Sequence, residues 1–151
     1  MCTATAGAAL SAQLRQTRTD EYTRYELLAP ATSSVKVMYE VSATSEGART
    51  YDDAIPAGAT VRDVAVHDMM TGEALTFTVG ASAIHVSLAR PVPPKGQGRI
   101  RIDKTVANAR AYRLAGNAAT LTAPLGAGRH DFVLPAGYEM VACTIPVRVI
   151  Q

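Results

Sequence analysis

The chain has 151 residues, 48% of them apolar, and its 15 basic and 13 acidic residues leave a formal charge of +2. That length suits one domain with a real core and is short of two of ordinary size. Tryptophan is absent and aromatics are few, which argues against a sugar- or base-stacking platform, and the twelve arginines are scattered, which argues against nucleic-acid or polybasic membrane binding.

Residues 1–20 open with MCTATAGAALSAQLRQ, rich in alanine and small polar residues. They read as a flexible or weakly helical tail, in composition like the distal part of a secretory signal sequence. Cys2 within it is open to three readings: a lipid-bearing cysteine, a disulfide partner for Cys143, or an unrelated thiol. Residues 21–151 read as a single β-sandwich domain. Residues 22–28 form the first strand candidate, ended by the turn Pro30-Ala31-Thr32-Ser33-Ser34. Val35, Val37, Tyr39 and Val41 then alternate with Lys36, Met38, Glu40 and Ser42, the period of two of a strand, and the length of the run predicts a central one. Residues 45–60 carry three loop signals, Glu46-Gly47, Asp52-Asp53 and Pro56-Ala57-Gly58, and predict an excursion between sheets. Residues 61–67 return to strand, and Thr71-Gly72 predicts a tight hairpin into residues 74–79.

Residues 84–105 are the most legible stretch. Ile84, Val86 and Leu88 fall on one face, with His85, Ser87 and Ala89 on the other. Pro91-Val92-Pro93-Pro94 cannot donate to a ladder at its prolines and predicts a connector. Ile100 and Ile102 then oppose Arg99, Arg101 and Asp103, and an antiparallel pair with the preceding strand is expected. Further hairpins are expected around Ala115-Gly116-Asn117 and around Pro135-Ala136-Gly137, where residues 131–134 would pair with residues 138–144. A last strand is placed at residues 147–150. About ten short strands with no helical segment after residue 20 predict an all-β chain, an antiparallel β-sandwich or open barrel behind a small N-terminal tail. No apolar run reaches the roughly 20 residues of a membrane span.

No catalytic constellation is legible, and no metal or cofactor is expected: a His-Glu-x-x-His helix, a Gly-x-Ser-x-Gly elbow and a phosphate loop are all missing. The adjacent pair His67-Asp68 points to opposite faces of a strand. His85 alternates outward, as do Arg99 and Arg101, and these three are candidates for contact. Arg129 and His130 follow the turn Gly126-Ala127-Gly128 and are placed to meet an anion. Cys143, with apolar neighbours Val141, Ala142 and Ile145, reads as a buried structural thiol. Asp52 and Asp53 read as a loop pair, either exposed charges or a weak calcium contact, in preference to an acid/base dyad.

Val64-Ala65-Val66, Thr71-Gly72-Glu73, Ile84-His85-Val86, Arg90-Pro91-Val92-Pro93-Pro94 and Ile100-Arg101-Ile102 together resemble the amino-terminal β-domain of the large zinc aminopeptidases related to leukotriene hydrolase. Those enzymes carry their zinc motif in a later helical domain, so the resemblance implies a β-domain and transfers no catalytic residue. A second resemblance, to uncharacterised secreted proteins of Gram-negative bacteria, covers residues 23–149. It rests on Arg24-Tyr25-Glu26-Leu27-Leu28-Ala29-Pro30-Ala31-Thr32, Met70-Thr71-Gly72-Glu73-Ala74-Leu75, Ala89-Arg90-Pro91-Val92-Pro93-Pro94 and Val133-Leu134-Pro135-Ala136-Gly137-Tyr138-Glu139. It implies an exported, periplasmic or secreted β-module.

Three functions follow as expectations. The leading one is a non-catalytic extracytoplasmic module for a protein, peptide or surface polymer, with self-association by edge-strand pairing as a corollary. The others are a hydrolase, or accessory domain of a secreted peptidase, drawing on His130, His67 or Cys143, and a structural subunit of an extracellular polymer.

Overall fold

The computed structural model of the protein describes residues 15–148. Its strands are β1 (Arg18–Leu27), β2 (Ser34–Ala43), β3 (Thr50–Ala54), β4 (Thr60–Asp68), β5 (Phe77–Val79), β6 (Ala83–Ser87), β7 (Gly98–Ala107), β8 (Tyr112–Ala115), β9 (Ala118–Leu121) and β10 (Arg129–Val133). A single 3-10 turn, Pro30–Thr32, joins β1 to β2. One sheet has the order β10-β1-β2-β7-β4, a second the order β3-β6-β5, and β8 and β9 form a separate hairpin. The two larger sheets face each other as a sandwich, without closing into a barrel.

Period-two alternation dictates the core. Val35, Val37, Tyr39, Val41 and Ala43 of β2 are buried, and the register places Tyr39 opposite Ile102 and Val41 opposite Ile100 of β7, so all share the inner face. Tyr51 of β3 and Ile84 and Val86 of β6, none more than 1% exposed, form the facing layer. Each buried valine or isoleucine among them stabilises the fold by roughly 1.5–3 kcal/mol.

Polar groups also bridge the layers. Lys104 of β7 points inward and pairs its ammonium with the Asp53 carboxylate of β3, the two side chains being 8% and 12% exposed. Tyr39 donates its hydroxyl to Glu21 Oε2 at 2.7 Å, and the Tyr39 and Tyr51 hydroxyls lie 3.0 Å apart. Burial, above all, pushes the pKa of both phenols above the ordinary tyrosine value.

Several expectations change. The strands of residues 84–105 are not paired with each other: β6 lies between β3 and β5, and β7 between β2 and β4. The proline run crosses between the layers and is pinned by Val92, whose N–H donates to the Ala48 carbonyl at 2.9 Å and whose carbonyl accepts from Gly47 N–H at 2.8 Å. Alternation fixed the faces of both strands but carries no information about partners. The excursion over residues 45–60 contains β3, a buried-face strand hidden among turn residues. The Thr71-Gly72 turn is present, yet it leads to one bridge, His67 to Ala74, before the chain passes to the other sheet as β5.

The expected hairpin around Gly116 is formed by β8 and β9. The one around Pro135-Ala136-Gly137 is not: residues 138–144 form no strand, and β10 instead pairs parallel with β1. The far side of β1 is already taken by β2, and the chain enters β10 beside Tyr22, so the open edge is filled in the parallel sense. Gly128 permits this entry. Its φ is +120°, and a Cβ there would lie 2.6 Å from the Glu21 carbonyl oxygen. Cys143 is exposed, contrary to the buried thiol expected. Residues 1–14, with Cys2, and the second half of the strand placed at residues 147–150 lie outside the described residues, and Val147 and Arg148 form no strand.

Candidate functional site

The five residues singled out from the sequence fall in three places. Arg129 and Arg101 lie on the outer, solvent-facing side of the five-stranded sheet. Cross-strand register sets Arg129, Tyr22, Glu40, Arg101 and His67 in one row, and Asp131, Arg24, Met38, Asp103 and Ala65 in the next. Arg129 stacks its guanidinium 4.2 Å over the Tyr22 ring. The Tyr22 hydroxyl donates to Asp131 at 2.8 Å, and that bond, first among several causes, raises the Tyr22 pKa. Arg101 grips Asp103 with two bonds of 2.8 Å, which hold its guanidinium more firmly charged. Beyond the second row, toward the next one formed by Glu26, Lys36 and Thr105, lies an open hollow of about 430 Å³ lined by Arg24, Lys36, Met38, Arg101 and Asp103 among others. Arg99 precedes Arg101 by one pleat and is partly buried, with its Nε enclosed and without a partner among the described residues.

His130 belongs elsewhere. It follows Arg129 on β10, so it points to the opposite, inner side. There it stacks on Tyr25 with centroids 6.1 Å apart, and Tyr25 stacks on Phe132 at 4.9 Å. Its Nε2 lies 3.2 Å from the Gly126 carbonyl, an acceptor only, so Nε2 carries the proton and Nδ1 is left buried with no partner among the described residues. The anion contact expected of Arg129 and His130 together would need both on one face, and they occupy two.

His85 lies on the outer side of the three-stranded sheet in the row Asp52, His85, Thr78. Its Nδ1 is 2.8 Å from Asp52 Oδ1, with the two side chains 51% and 46% exposed. The carboxylate fixes the tautomer with the proton on Nδ1. Among the described residues Asp52 is the sole side chain hydrogen-bonded to a histidine, and no serine, threonine or cysteine is so placed. The couple sits on an open sheet surface and not in a cleft.

Two groups escaped sequence reasoning. Asp52 faces His85 only because β3 is a strand, which its turn-rich surroundings concealed. Gln16, in the expected tail, lays its side-chain amide on the outer edge of β3: its Nε2 donates to the Asp52 carbonyl at 2.9 Å, and Asp52 N–H donates to its Oε1 at 2.7 Å. No local signal marks a lone glutamine for that role.

No protein-family model matches the chain, and no curated protein does. Solved structures do. A two-domain M1 zinc metallopeptidase bound to L-tryptophan matches 63% of this chain and 21% of its own, at 16% identity and a TM-score of 0.50. The same kind of enzyme bound to L-arginine matches 68% of this chain and 22% of its own, at 16% identity and a TM-score of 0.50. An M1 zinc metallopeptidase from Deinococcus radiodurans matches 61% of this chain and 20% of its own, at 15% identity and a TM-score of 0.49. The chain therefore spans about a fifth of the length of these structures. At such identity the likeness is one of fold, and the fold shared is that of the peptidases' amino-terminal domain.

Proposed function

We propose that the protein is a non-catalytic β-sandwich module, periplasmic or secreted, that engages a protein or peptide through a sheet edge, another copy of itself included. The observation that supports this best is the state of the edges. Both main sheets end on strands with no further strand beside them among the described residues, β10 and β4 in one sheet, β3 and β5 in the other. Outward N–H and C=O groups on such strands accept an added strand. The mixed-charge outer face flanking β10 offers a polar partner further contacts and suits a surface polymer as well. The test is amide hydrogen exchange on the full chain, alone and with a panel of extended peptides. Protection of one edge strand, or concentration-dependent protection without peptide, is the expected result. A monomer whose edges remain unprotected under all conditions would refute the proposal.

A second reading, an accessory domain of a larger zinc peptidase, is favoured by the solved structures that share the fold. Immunoblotting of the native protein decides it. A species several times the 15.9 kDa of this chain that co-purifies with aminopeptidase activity supports it, and a species of the chain's own mass without that activity rejects it.

A further inference from the structure

We infer that the outer edge of β3 is a peptide-binding edge, whose occupant is an extended segment with a lysine or arginine facing Asp52 and apolar residues on either side of it. The inference rests on the edge-contact proposal above and selects one edge and one chemistry. β3 bonds to β6 through its odd-numbered residues, as the flanking bonds Leu88 N–H to Arg49 C=O and Ile55 N–H to Ser82 C=O require. The peptide groups of Thr50, Asp52 and Ala54 consequently point away from the sheet. The middle one is already engaged in the manner of a strand, because the Gln16 amide offers Asp52 one donor and one acceptor, as a peptide unit would. Among the described residues a side chain fills one position of that edge. A backbone would fill all three.

Two further features define what fits. A residue directly opposite Asp52 shares its outer face, where the carboxylate is held by His85 through one oxygen and is 46% exposed. An opposite charge is favoured there and a like charge is not. This also disfavours two copies pairing through the same edge about Asp52, since the two carboxylates would then meet. The neighbours of that basic residue point inward. The five-stranded sheet extends beyond the three-stranded one on the side of β1 and β10, where Tyr25 and Phe132 form a half-buried stacked ledge on the inner face. Tyr51 of β3 already reaches the Tyr39 hydroxyl on β2, the strand next to β1, so a strand added to β3 lies over that ledge. Apolar side chains suit it.

The test uses the full chain and a labelled synthetic peptide alternating valine with arginine, beside a twin with glutamate in place of arginine. Fluorescence anisotropy is expected to show the basic peptide binding more tightly, with new exchange protection at Thr50 and Ala54, the Asp52 N–H exchanging its Gln16 acceptor for a peptide carbonyl. Gln16→Ala should tighten binding by about threefold through removal of the competing amide, and the exposed substitution Asp52→Lys should reverse the preference toward the acidic twin by a similar factor. Protection on β4, β5 or β10 in place of β3, or an unchanged preference in Asp52→Lys, overturns this inference and leaves the edge-contact proposal standing. Failure of both peptides to protect any edge of a monomeric chain removes both. If Gln16→Ala instead pairs with its own copies through β3 and the peptide does not compete, the edge serves self-association and the inference falls.

Discussion

Replacing Lys104 by methionine isolates the ion pair that joins the two layers. Methionine keeps most of the length and apolar stem of lysine, so packing is largely retained while the Asp53 carboxylate loses its cation. With the partners 8% and 12% exposed, water cannot take the ammonium's place as it would at the surface, where such pairs contribute only about 0–1 kcal/mol. Breaking a buried pair typically costs about 3–5 kcal/mol. Some exposure remains, so we expect about 3 kcal/mol, the low end, from a domain whose total stability is of the order of 5–15 kcal/mol. That corresponds to a fall in Tm on the order of 10 °C. Urea unfolding followed by circular dichroism measures it. The second arm is Lys104→Met combined with Asp53→Leu, which removes both charges and should recover most of the loss, because a buried pair and an apolar pair of similar volume are close in free energy. A loss below about 1 kcal/mol in the single variant would mean the pair behaves as a surface one. A double variant no more stable than the single would show that packing, and not the stranded charge, carries the cost.

Tyr39→Phe should cost about 1–2 kcal/mol in the same urea assay, since it leaves the Tyr51 hydroxyl and Glu21 without the partner they share. Because burial raises the Tyr39 and Tyr51 pKa values above about 10, the unfolded chain releases these protons first, so their contribution is intact below that pH and lost as pH rises above it. Stability should decline above about pH 10, and the decline should be shallower in Tyr39→Phe by up to one proton, or about 1.4 kcal/mol per pH unit. Ile102→Ala, emptying a fully buried site, should cost about 2–5 kcal/mol by thermal or urea unfolding. Gly128→Ala should detach β10 from β1, because its Cβ would overlap the Glu21 carbonyl; hydrogen exchange should then quicken along β10 while the β2–β7 ladder stays protected, and equal protection in both would count against that account.

Faces were legible in the sequence, and neighbours were not. Val35 through Val41, Ile84 with Val86, and Ile100 with Ile102 all occupy the inner positions that alternation assigns them, because period two is a local property of the backbone. Pairing depends on where the connectors travel. Pro91 to Pro94 told only that the chain leaves a sheet, and whether it returns to the same sheet or crosses to the other is decided by the facing layer. Tyr51 was hidden for a related reason: β3 is short and flanked by turn residues on both sides, so composition outweighed its alternation. Lys104 breaks the polarity pattern of β7 by facing inward, and nothing near it in sequence names Asp53, 51 residues away, as its partner. The candidate site was read least well. His85, Arg99 and Arg101 are chosen by outward alternation and Arg129 with His130 by the turn before them, whereas strand parity separates His130 from Arg129, and register alone joins His85 to Asp52.

The difference in width between the two sheets decides where a partner can act. A three-stranded layer over a five-stranded one leaves β1 and β10 without a facing strand of the smaller sheet, so the aromatic ledge of Tyr25 and Phe132 and the outer edge of β3 lie next to each other. A solid outer face could carry the same charges in many arrangements without selecting a sequence, since rows of alternating sign bind extended polyelectrolytes weakly and are screened by salt. An edge selects differently, because backbone bonds fix the register and each alternate side chain then meets one defined neighbour. The two surfaces are consequently separable by ionic strength. Contact through the row of Arg129 and Arg101 and its neighbour should weaken steeply with added salt, whereas strand addition at β3, held by peptide groups with one charge pair, should weaken little.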